Sequence, residues 1–102
     1  MLIGAHVSTA GGVEKAVGRA TDIGAECIQV FVSSPRGWAC KPVSDASANA
    51  FRAGVKGAGL GPTLLHGIYL VAIGSPDEAL AGNSTASLTS HLRAAEQLGA
   101  LG

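Results

Sequence analysis

The chain has 102 residues, 47% of them apolar, and its seven Lys and Arg are balanced by seven Asp and Glu. That length holds at most one small domain, and the apolar content is ordinary for a globular chain. A formal charge of zero lacks the basic excess of a free-standing nucleic-acid binder, so any attraction to DNA must come from loop geometry or from further parts of the protein. No apolar run approaches the about 18 residues that span a membrane, and no secretory signal opens the chain. Cys27 and Cys40 form no C-x-x-C pair. Cys27 reads as a buried reduced thiol, a metal role for Cys40 has little support, and a cytoplasmic location is expected.

Leu2 to Val7 is a short apolar run that predicts a first strand, followed by the small-residue loop Ser8-Thr9-Ala10-Gly11-Gly12. From Val13 the positions Val13, Val17, Ala20 and Ile23 recur at helical spacing, with Glu14 in the first turn where the helix dipole favours an acid. Gly24 is expected to close that helix as a left-handed cap. Cys27 to Val32 predicts a second strand, running into Ser33-Ser34-Pro35-Arg36-Gly37-Trp38. Ser44 then reads as the N-cap of a helix that buries Ala48, Phe51, Val55 and Ala58, stopped by Gly59 and Gly61-Pro62. A third strand spans Thr63 to His66. In Ser75-Pro76-Asp77-Glu78 the Ser reads as the cap, with Pro at the first helical position and Glu three after the cap. The last helix is expected to bury Leu80, Leu88, Leu92 and Ala95 and to end at Leu98-Gly99.

Three helix-to-strand junctions resemble one another: Ile23-Gly24-Ala25, Ala58-Gly59-Leu60 and Leu98-Gly99-Ala100, at intervals of 35 and 40 residues. A helix between successive strands makes the strands parallel. The expected fold class is α/β: the N-terminal three β/α units of a TIM-type (β/α)8 barrel, a single partial domain over residues 1–102. Eight units of this size would occupy about 280 residues, near the ~250 of a complete barrel. Three leave open strand edges, and a fourth strand is due where the chain reaches Gly102. Gly18, Gly54, Gly57 and Gly82 fall inside helices, each at up to ~1 kcal/mol against Ala. Independent stability is therefore expected to be poor.

Ligands of parallel α/β folds sit outside the carboxyl ends of the strands, so the strand ends are where chemistry is sought. His66 ends the third strand and is followed by Gly67. It reads either as a zinc ligand held on a rigid strand end or as a hydrogen-bonded rim histidine. His6 ends the first strand among small neighbours, where packing beneath a site is the simpler role. His91, in mid-helix, reads as a surface or half-buried residue without a role. Arg36 and Trp38 pair a cation with an aromatic ring on one loop, suited to a phosphate backbone or an exposed base, or else to a solvated Arg beside a capping Trp. Tyr69 begins the next loop and either wedges into nucleic acid or covers the core. No Ser/His/Asp arrangement, phosphate loop or nucleotide fingerprint is present in the sequence.

Gly4-Ala5-His6-Val7-Ser8-Thr9-Ala10-Gly11-Gly12, then Phe31-Val32-Ser33-Ser34-Pro35-Arg36-Gly37-Trp38, then His66 with Tyr69-Leu70 and Ser75-Pro76, resemble the endonuclease IV family. These zinc-dependent enzymes, within the xylose-isomerase-like barrels, incise double-stranded DNA at abasic sites. The resemblance covers the whole chain and about the first third of a family member. It implies a β/α barrel with a cluster of three zinc ions at the carboxyl ends of the strands, and hydrolysis of the phosphodiester 5′ of an abasic nucleotide. It implies that His66 is a zinc ligand and that Arg36 and Tyr69 enter the DNA at the lesion. His6 and Trp38 would lie near the site without an assigned role.

Departures from the family pattern are Ala72 where Asn is expected, Ile68 where Pro is common and Val32 where Thr is common. The family's remaining ligands would lie beyond Gly102, so the rest of the barrel is a required partner and the 102 residues alone are not expected to cut DNA. Two other readings stay open. A sugar isomerase or epimerase on the same barrel would also place His66 at a metal, but has no use for Arg36 and Trp38. A non-catalytic truncated product accords with Ala72, the helix glycines and the neutral charge.

Overall fold

Three times a helix ends on a left-handed glycine and passes the chain to the next strand in the same way. In the computed structural model, which describes all 102 residues, Gly24, Gly59 and Gly99 have φ of 72°, 65° and 66°. The residue after each donates back across the final turn: Ala25 to Ala20, Leu60 to Val55 and Ala100 to Ala95, at 3.0, 3.1 and 2.9 Å. This is the Schellman pattern, which satisfies carbonyls the helix leaves open. Two residues past each glycine the chain docks on the sheet. Glu26 donates to the Ile3 carbonyl, Gly61 to Glu26 and Leu101 to Thr63, at 2.9, 2.7 and 2.8 Å.

The elements run β1 (Gly4–His6), α1 (Lys15–Asp22), β2 (Cys27–Val30), α2 (Asp45–Gly57), β3 (Thr63–Leu65) and α3 (Glu78–Leu98). The sheet has the order β1-β2-β3, both pairs parallel, with His6 opposite Gln29 and Gln29 opposite Leu64. Three consecutive parallel β/α units are therefore present, as expected. Leu101 and Gly102 lie along the free side of β3, where Leu65 donates to the Gly102 carbonyl at 2.8 Å. All three strands are shorter than the apolar runs that announced them. Beyond Val30, the Phe31 carbonyl accepts from the Thr9 hydroxyl at 2.9 Å instead of continuing a ladder.

Alternation along each strand divides the sheet into two faces. Val7, Ile28 and Val30 turn toward the helices and join a core of Val13, Ala16, Val17, Ala20, Ala48, Phe51 and Leu98. Gly4, His6, Cys27, Gln29 and Leu64 occupy the other face, which is open; Leu64 is 43% exposed. Gly4 is required there, since a Cβ would stand 2.2 Å from the Cys27 carbonyl oxygen. Gly54 serves α1–α2 packing, since a Cβ there would stand 3.2 Å from a Val17 methyl carbon.

Several helix expectations are corrected. Ile23 is 64% exposed because the chain has already left α1, and Ala58 is exposed past the end of α2. Ser44 does cap α2, accepting from Ser47 at 3.2 Å. At α3 the cap is Asp77, not Ser75: its carboxylate accepts from the Leu80 N–H at 3.0 Å, while Ser75 accepts from the N–H of Asp77. The buried stripe of α3 is Ser84, Ser87, His91, Ala94, Ala95 and Leu98, and Leu92 is 63% exposed. This stripe keeps helical spacing but carries polar residues: Ser84 and His91 are hydrogen-bonded to loop and helix groups, while the Ser87 hydroxyl has no partner.

Candidate functional site

The loops after the three strands gather at the carboxyl end of the sheet and are tied together before any ligand is considered. Arg19 of α1 reaches up with both guanidinium nitrogens to the carbonyls of Ser8 and Ala10, at 2.8 and 2.7 Å. Its rigid fork matches two acceptors at once. Thr9 binds the end of β2 as described, and Gly11 and Gly12, with φ of 86° and 131°, let the loop turn into α1. The next loop makes a turn in which Gly37 donates to Ser34, and Tyr69 of the third loop donates its N–H to Pro35 at 2.9 Å. Ala72 donates its N–H to the fully buried Ser84 hydroxyl of α3 at 2.8 Å. A cleft of about 490 Å³ lies between the first two loops, lined by His6, Ser8, Thr9, Phe31, Ser33 and Pro35 among others.

Phe31 is the hub of a ring cluster at this rim. Its centroid is 4.6 Å from that of His6, 4.7 Å from His66 and 5.7 Å from Tyr69. His66 stands 5.9 Å from both His6 and Tyr69, nearly edge-on. The sequence singles out His6, His66 and Tyr69; Phe31, which joins them, carries no signal beyond that of an ordinary strand residue. His6 itself is exposed on the open face, with Nδ1 3.0 Å from Gln29 Oε1.

His66 is half-buried, and its Nδ1 lies 2.6 Å from the Gly67 carbonyl oxygen. A carbonyl only accepts, so Nδ1 carries the proton and Nε2 keeps its lone pair in the neutral ring. That is the arrangement of a histidine ready to bind a metal through Nε2, its other nitrogen held by an outer partner. Nowhere in the chain do three His, Cys, Asp or Glu side chains converge on one metal position. The donor set therefore fits zinc in part: it offers one prepared imidazole and no complete coordination sphere.

Arg36 is exposed at the tip of its loop, and Tyr69 is 63% exposed. Trp38 is half-buried. The backbone bond from Tyr69 to Pro35 brings the loops of Arg36 and Tyr69 together, on the rim that holds His66. His91, read from sequence as a residue without a role, is 6% exposed, with Nε2 3.1 Å from Ser33 Oγ and Nδ1 2.8 Å from the Ser87 carbonyl. No local sequence signal marks this contact, whose partners lie 58 residues apart. Cys27 and Cys40 are free and half-buried. Burial pushes the Cys40 thiol up from its ordinary range, partly offset by a hydrogen bond from Ser33. No helix is long and apolar enough to cross a membrane.

Parallel β/α units with histidines and aromatic rings clustered at one end of the sheet define an α/β architecture with one candidate rim. By sequence and by fold the chain is similar to part of endonuclease IV proteins. It is 43% identical over 99 residues to a probable endonuclease 4 of Methanoculleus marisnigri, covering 97% of this chain and 35% of the relative. It is 38% identical to a probable endonuclease 4 of Halothermothrix orenii, covering 98% and 36%. The crystal structure of endonuclease IV from Thermus thermophilus superposes with a TM-score of 0.93 at 40% identity, covering 98% of this chain and 38% of that one. The chain thus spans about a third of the length of the curated relatives it matches. No family model matches it.

Proposed function

We propose that these residues form the first three β/α units of a zinc-dependent DNA-repair endonuclease that hydrolyses the phosphodiester 5′ of abasic sites. The observation that carries this reading is His66: it closes β3, has its Nδ1 proton committed to Gly67, and has Nε2 left for a metal beside Tyr69. The names of the relatives support nuclease chemistry at the level of the family. Bound zinc would supply Lewis-acid stabilisation of charge on the phosphodiester oxygens.

This chain's own residues do the remaining work. His66 holds one ligand position on a rigid strand end. Arg36 meets the phosphate backbone with a charge that cannot be lost, and Tyr69 offers a ring to wedge against the gap left by a missing base. Phe31 packs both histidines and the Tyr ring into one orientation. Because three metal ligands do not converge within the 102 residues, the remainder of the barrel is an obligatory partner in this reading. The 102 residues alone do not cut DNA.

The test begins with the intact mass of the native protein in its own cells, against the 10.1 kDa of this chain. A species near three times that mass is expected to carry stoichiometric zinc, to nick duplexes at abasic sites and to stop on chelation. His66→Ala is expected to lower its zinc content. A complete species with no zinc and no nicking refutes the reading. Turnover of a small sugar in its place favours an isomerase or epimerase on the same barrel.

A further inference from the structure

We infer that His91 is a positioning residue: through Ser33 it clamps the base of the loop that carries Arg36 and Trp38 onto α3. The geometry is a buried polar chain. His91 lies inside the protein at 6% exposure on the inner stripe of α3. Its Nδ1 faces the Ser87 carbonyl at 2.8 Å, which can only accept, so Nδ1 donates there. Nε2 is left as the acceptor for the Ser33 hydroxyl at 3.1 Å. One imidazole therefore ties the start of the loop Ser33–Cys40 to α3.

A helix does not bury an imidazole by default, since an apolar side chain would fill that stripe without needing partners. Two of the buried polar side chains of α3 hold a loop. Ser84 receives the N–H of Ala72 in the loop that carries Tyr69, and His91 receives Ser33. The two loops are then joined directly by the Tyr69–Pro35 backbone bond. Arg36 lies three residues after the Ser33 anchor and one after the Pro35 carbonyl that Tyr69 holds. A charged side chain on a free loop would spend its binding on ordering that loop, whereas a loop held at Ser33 and Pro35 presents it ready. The consequence for DNA rests on the proposed function; the clamp itself does not.

The two free cysteines read the clamp out without any activity measurement. Cys40 lies on the clamped loop, while Cys27 lies in β2 against Gly4 and serves as the internal reference. In the native full-length protein, iodoacetamide labelling of each cysteine is followed by peptide mass. His91→Leu is expected to raise the Cys40-to-Cys27 rate ratio about 3- to 10-fold, the effect of losing one net hydrogen bond on local opening. His91→Gln, whose amide oxygen can take the Ser33 proton, is expected to restore the ratio. Val17→Ala loosens the core around α1 and is expected to leave the ratio unchanged. A ratio unmoved in His91→Leu overturns the clamp, as does an equal rise in Val17→Ala. Should His91→Leu fail to fold, Ser33→Ala is read by amide exchange over residues 33–38. Faster exchange there than in β2 upholds the clamp, and no difference overturns it. Loss of abasic-site binding in Arg36→Ala with an intact clamp tests the functional reading separately.

Discussion

The backbone N–H of Tyr69 donates to the carbonyl of Pro35 at 2.9 Å, joining two loops that follow different strands. Arg36 is the next residue after that carbonyl, so the cation and the aromatic ring are parts of one surface. An exposed Arg on a protruding loop suits a phosphate contact, which contributes affinity without reading sequence. Arg36→Ala in the complete protein is expected to weaken binding to abasic and intact duplexes alike. The slope of log K against log salt should fall by about one. An unchanged slope places Arg36 off the DNA.

Much of this arrangement is legible in the sequence because it depends on short-range chemistry. Gly24, Gly59 and Gly99 announce the three helix ends, and all three adopt the left-handed cap. His66 and Tyr69 stand out because strand ends are where such folds place function. What stays hidden has a common physical cause, namely partners distant in sequence. The stripe Leu80, Leu88, Leu92 satisfies helical periodicity on paper. The helix instead turns Ser84, Ser87 and His91 inward, since loop groups from far along the chain satisfy two of them. Phe31 gives no signal because nothing local says that one ring will touch two histidines and a tyrosine. Arg19 gives none because its acceptors are backbone carbonyls, which no residue type announces.

Arg19 offers a direct check of how the first loop is held. Arg19→Lys replaces a planar fork with a single ammonium, which cannot span two carbonyls in fixed geometry. Net loss for such a bond is about 0.5–1.5 kcal/mol. Amides of residues 8–12 are therefore expected to exchange up to about tenfold faster while β2 is unaffected. Equal protection in the variant would show that Thr9 and the glycines suffice to fix the loop.

Gly4 tests the packing of the open sheet face. A methyl group at this position would meet the Cys27 carbonyl oxygen at 2.2 Å and its sulfur at 2.5 Å. Backbone cannot swing away as a side-chain tip can, so β1 must shift against β2. Gly4→Ala is expected to cost about 1–3 kcal/mol, the usual range for overpacking, measured by denaturant unfolding. Gly18→Ala makes the contrasting control: a methyl group there would meet nothing within 4 Å, and helix propensity favours Ala by up to about 1 kcal/mol. The two substitutions should move stability in opposite directions.

Ser87 sharpens the account of the α3 stripe, because its hydroxyl is buried without a hydrogen-bond partner while its carbonyl serves His91. An unsatisfied buried hydroxyl destabilises, and removing it costs no interaction. Ser87→Ala keeps the carbonyl, deletes the orphan oxygen and improves helix propensity. It is expected to stabilise the protein by about 1 kcal/mol, seen as a higher unfolding midpoint, with the Cys40-to-Cys27 labelling ratio unchanged. Destabilisation would mean that the hydroxyl has a partner in solution, a buried water being the natural one. The inner face of α3 would then hold all three of its polar residues by hydrogen bonds.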